Sequence, residues 1–161
     1  DTTRWLRIVS RSTQNEDGAL SGLELDGVTI LHGIAGKFVD IGPGTAGAFG
    51  TPSLTGSGHL SPGGVGFTLQ ISDVAPNAFG LLFVGLNEAA VPVHVKGVAF
   101  YLDAPWLVQI PLGVDAAGAL SLSGTVIGAM AGLDITLQCL WVDASGPAGA
   151  TGTNGLRLEI P

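Results

Sequence analysis

Charge, cations and cysteine are all scarce in this sequence. Charged residues fill 12% of its 161 positions, against about 25% in an ordinary soluble domain. Lys and Arg number 6 and Asp and Glu 13, for a formal net charge of −7. No basic stripe follows the first eleven residues, which argues against a nucleic-acid partner. A single cysteine, Cys139, excludes an intrachain disulfide. Hydrophobic residues reach 46% and mean hydropathy is +0.49, yet no run approaches the roughly 18 apolar residues of a membrane helix. Insertion into lipid is therefore not expected. Helical periodicity is missing too, apart from one turn's worth in 125–134.

Catalytic signatures are equally scarce. There is no G-x-S-x-G elbow, no H-E-x-x-H, no phosphate-binding loop and no obvious pair of carboxylates. His32, His59 and His94 lie on separate segments and read as unrelated histidines. Cys139 shares a strand face with Ile135, Leu137 and Trp141, so it reads as a small core hydrophobe. Asp115 in "VDAAG" and Asp143 in "VDASG" are single carboxylates beside turn residues, without a D-x-D-x-D ligand run. Asx-turns account for both. The expectation is a non-enzyme with no metal and no cofactor.

What the sequence does have is strand punctuation. From residue 54 onward, turn clusters such as "SPGGVG", "DVAPN", "LNEAAVP", "LDAP" and "VDAAG" separate short runs of period two. Phe67, Leu69 and Ile71 alternate with Thr68, Gln70 and Ser72; Leu156, Leu158 and Ile160 alternate with Arg157 and Glu159. "FGLLFVG" (79–85) and "ITLQCLWV" (135–142) are apolar on both faces and predict central strands. The fold class is all-β: an antiparallel β-sandwich, immunoglobulin-like or jelly-roll, with an N-terminal strand segment. Its expected parts are a strand segment over 1–41, a Gly-rich linker over 42–53 and the sandwich over 54–161.

The six cations are unevenly placed. Arg4, Arg7 and Arg11 are half of them, and all three fall in "TTRWLRIVSRST". Residues 1–11 sum to +2, leaving −9 for the rest. Leu6 and Ile8 would face one way in a strand and Trp5 and Val9 the other. A strand apolar on both faces needs cover, and a terminal strand frays unless paired. Docking on its own sandwich as an ordinary first strand would satisfy both needs, and so would strand donation, in which Arg4, Trp5, Leu6, Arg7, Ile8, Val9 and Arg11 complete the sheet of an acidic neighbour. Such a head-to-tail contact grows a filament unless it closes into a ring. A chain so poor in charge also fits burial of its surface in an assembly.

Over 51–161 the pieces "GTPSLTGSGHLSPGGVGFTLQISDVAPNAFGLLFVGLN", "LVQIPLGVDAAGALSLSGTV" and "LDITLQCLWVDASGPAGATGTNGLRLEIP" resemble a module found at the C-termini of secreted bacterial proteins of planctomycete and myxobacterial type. "QCLWVD" and "TNGL" are near variants of that module's "Q-x-W-x-x-D" and "SNAL". The resemblance implies an extracellular β-sandwich without established catalytic residues, and a weaker likeness joins the chain to donor-strand fibre subunits. A first residue of Asp1 rather than Met fits either a processed mature chain, as removal of a secretory signal would leave, or a trimmed one.

The expected function is thus an extracellular structural or adhesive subunit, polymerising with copies of itself by N-terminal strand donation. A secreted module binding carbohydrate or another surface ligand is the alternative, with Tyr101 and Trp106 as aromatic contacts for a glycan. A viral coat or decoration protein is the third reading.

Overall fold

A computed structural model describes residues 4–11, 24–32 and 36–161 of the chain, which divides into two compact units between residues 35 and 36. In the first unit, β1 (Arg4–Arg11) and β2 (Glu24–His32) pair antiparallel as a two-stranded sheet. The register sets Arg4 opposite His32 and Arg7 opposite Thr29, with a shift between Ile8 and Ser10.

The second unit is a β-sandwich. Its smaller sheet has the order β10 (Leu120–Gly124), β5 (Phe67–Ser72), β4 (Ser53–Gly58). Its larger sheet runs β3 (Lys37–Asp40), β13 (Leu156–Glu159), β11 (Asp134–Val142), β6 (Phe79–Gly85), β9 (Val108–Gly113), with β12 (Ala150–Gly152) pairing the far end of β11. All of these ladders are antiparallel. Alternation decides which side chains enter the core. Leu54, Leu69 and Ile71 from one sheet meet Leu82, Ile135, Leu137, Cys139, Trp141, Leu156 and Leu158 from the other. Each fully buried side chain of this size contributes roughly 1.5–3 kcal/mol. The opposite face of the small sheet carries only Ser, Thr and Gln, in rows such as Thr55–Gln70–Ser121 and Ser57–Thr68–Ser123.

A third layer covers the other face of the large sheet. The hairpin of β7 (Glu88–Val95) and β8 (Val98–Leu102) pairs antiparallel with an irregularity between Glu88 and Val93. Phe100 and Leu102 of β8 form a second cluster with Phe83, Leu81 and Leu140. This explains why β6 and β11 are apolar on both faces: each has a layer on either side. The "LNEAAVP" stretch, expected as a turn, supplies much of β7. Asn87 just before the strand and Glu88 and Pro92 within it mimic turn punctuation, and the ladder tolerates Glu88 and Pro92 because β7 is an edge strand with an interrupted register.

Two expected boundaries move. Residues 37–41 are expected in the N-terminal segment, but β3 pairs with β13 and lies inside the second unit. Residues 42–53, expected as a linker, are built into the body. Thr45 bridges Gly152, Pro52 is fully buried, and the Tyr101 hydroxyl donates to the Pro43 carbonyl at 2.9 Å. Glycine lets main chain pack closely on main chain. In composition, that is indistinguishable from a flexible linker.

Candidate functional site: an open edge of the sandwich

The polar residues most conspicuous in the sequence hold loops and layers together. Gln138 is fully buried on β11; its Oε1 accepts from the Tyr101 N–H at 2.9 Å, and its Nε2 donates to the carbonyls of Ala99 and Thr153. One amide thereby ties the hairpin layer to the large sheet. Asn154 does the same between the two sheets, accepting from the Leu54 N–H at 2.7 Å and donating to the Leu54 carbonyl. Asp115 Oδ1 accepts from the N–H groups of Ala117 and Ala119, and Asp143 Oδ1 accepts from the N–H and hydroxyl of Ser145. Both aspartates shape Asx-type turns. The described residues contain no cluster of three metal-ligating side chains.

The two aromatic candidates are not brought together on a surface. Tyr101 is buried, its ring lying against Gly42 and its Cβ against Gly155. Burial first, then the nearby Asp40 charge, raises its pKa. Trp106 is 38% exposed and packs edge-on against Phe83 and Phe100, with centroids 4.9 and 5.5 Å away. The expected glycan platform of Tyr101 with Trp106 is therefore absent, because Tyr101 is spent on internal packing. Cys139 is fully buried, and burial pushes its thiol up to about 12. His59 is half-buried after β4 and His94 exposed on β7. A shallow hollow of about 360 Å³ at the end of the small sheet is lined by Ser57, Val65, Phe67, Thr68, Ser123 and Thr125 together with glycines, and holds no titratable group.

The conspicuous feature is apolar surface at one side of the sandwich. Val108 and Ile110 of β9 lie opposite Val84 and Leu82, which face the core. They therefore point inward, yet remain 48% and 40% exposed. The small sheet runs β10-β5-β4 with β4 packed against β3, so β10 is its edge on the β9 side of the sandwich. β10 pairs only with β5 among the described strands, and its Leu120 and Leu122 are half-buried. The opposite side is closed: Phe38 of β3 lays its ring over Gly56 of β4 and packs 6.2 Å from Phe67. A second apolar strip, Val91, Val93 and Val95, lies exposed along β7. Val108, Ile110 and Leu112 alternate with Gln109 and Pro111 and make an apolar strand face, but only the unequal strand count of the two sheets leaves it open.

The donor residues Arg4 to Arg11 form β1, and one edge of that strand is taken by β2 of the same chain. Comparison with known proteins finds no matching family model, no similar curated protein and no similar solved structure.

Proposed function

We propose that this chain is a non-enzymatic structural subunit of an extracellular assembly, joined head to tail through its N-terminal strand. The observation that supports this reading is the incomplete sandwich. Inward-facing Val108 and Ile110 are left exposed at the one side where the small sheet stops short. An open apolar edge invites another strand. Charge is consistent with the same partner. β1 carries Arg4, Arg7 and Arg11, whereas residues 36–161 hold only Lys37, Lys96 and Arg157 against eight acidic residues.

Negative-stain electron microscopy of the full chain, beside one lacking residues 1–12, tests this directly. Filaments in the first sample that vanish in the second are the expected result. Uniform monomers in both would sink the polymer. Closed shells would point instead to a coat protein.

A binding module remains the second reading, favoured by the exposed edge of Trp106. Its mark would be a stable monomer whose Trp fluorescence responds to an added glycan.

A further inference from the structure

Resting on the strand-donation reading, we infer that the acceptor is the free edge of β10, with β1 of a second copy pairing along it and covering Val108 and Ile110 of β9. The other edges of the body suit a guest strand less well. β3 is only four residues long, and the β3/β4 side is sealed by Phe38. β9 carries Pro111 opposite Leu81. A proline fits there only with its nitrogen turned away from the ladder, so the free edge of β9 lacks a donor at its centre. β7 carries Pro92 and an interrupted ladder. β10, "LSLSG", has neither proline nor charge.

A strand added to β10 also lies where cover is missing. Its inward side chains would meet Val108, Ile110 and Leu122. "Leu6-Arg7-Ile8" supplies apolar residues at the required alternate spacing. Charge favours this guest as well. Asp115 in the β9–β10 loop is exposed, and the body's three cations lie elsewhere, on β3, at the β7–β8 turn and on β13. Arginine on the incoming strand would meet acid and no repulsion.

V108K and I110K in the full chain test the assignment, because side chains this exposed can be replaced without emptying the core. V93K on β7 is the comparison variant, and thermal melts establish that each variant is folded. Polymer is measured by light scattering after size-exclusion chromatography. The expected result is a drop of about tenfold or more in polymer for V108K and I110K, with V93K unchanged. A double variant, V9C with S123C, adds a direct reading: oxidation should give a disulfide-linked ladder between copies on non-reducing gels.

Polymer insensitive to V108K and I110K but abolished by V93K would move the acceptor to β7, overturning this assignment while leaving strand donation intact. A cross-link formed within a monomer would show the strand folding back on its own body, and would overturn the second copy as guest. A full chain that never polymerises would overturn strand donation itself, and the acceptor with it.

Discussion

At Gln138, one side chain satisfies three buried main-chain groups. Truncation would leave the Tyr101 N–H and the Ala99 and Thr153 carbonyls without a partner in a layer closed to water. Each such orphan costs about 1–3 kcal/mol. Q138A is therefore expected to lower unfolding free energy by about 3 kcal/mol or more in urea titrations. A loss below about 1 kcal/mol would mean that water replaces the amide. Cys139 offers a second measurement. Its thiol moves from an ordinary 9.0 to about 12 on burial, and Tyr101 moves upward too. Both groups are neutral when protonated, so the folded protein holds these protons more tightly than the unfolded chain. Their stabilising contribution is complete below about pH 9 and lost as pH rises towards 12. Unfolding free energy should fall across that window, with a shallower slope in C139A. The native thiol should also stay unreactive to a thiol reagent at pH 8 until the protein unfolds. None of these partnerships could be read from composition. Gln138 in "ITLQCLWV" looks like a polar interruption, and only the presence of β8 above it makes the amide necessary.

Elements were legible where their environment is uniform. β6 and β11 announced themselves as central strands because a layer on each side calls for apolar residues on both faces. β5 and β13 alternate because one face meets the core and the other does not. β7 was hidden, since an edge strand with an interrupted register can hold Glu88 and Pro92, the residues that usually end a strand. The 42–53 segment was hidden because its packing is made by main chain. The open edge was half visible: Val108 and Ile110 were recognisable as apolar, but their exposure depends on how many strands each sheet contains. The hairpin layer yields its own prediction. Trp106 touches both Phe83 and Phe100, and aromatic pairs of this kind contribute about 0.5–1.5 kcal/mol each beyond burial. W106A should destabilise by about 2 kcal/mol and speed hydrogen exchange in β7 and β8. If exchange rises equally in β4 and β5, the hairpin is not a separate layer energetically.

For the whole molecule, the division between residues 35 and 36 is the organising fact. Residues 36–161 hold every side chain of the two described core clusters, so that fragment should retain the main calorimetric transition of the full chain within a few degrees. A fragment that is unfolded at 25 °C would show that the N-terminal hairpin is needed to close the fold. Assembly, if the arginines guide it, should weaken with salt. The Debye length falls to about 3 Å at 1 M ionic strength, so polymer measured there should lie well below that at 0.05 M. Polymer indifferent to salt would leave apolar burial as the sole driving force.

The small sheet turns hydroxyls and amides outward, with no ion among them. Such a face remains wetted without repelling its like. Its hydration resists pH and sodium chloride alike, but yields to solutes excluded from protein surfaces. A modest concentration of sulfate should therefore bring these molecules out of solution where a much larger amount of chloride would not. In a crowded matrix rich in such solutes, flank-to-flank bundling would follow without any further binding site.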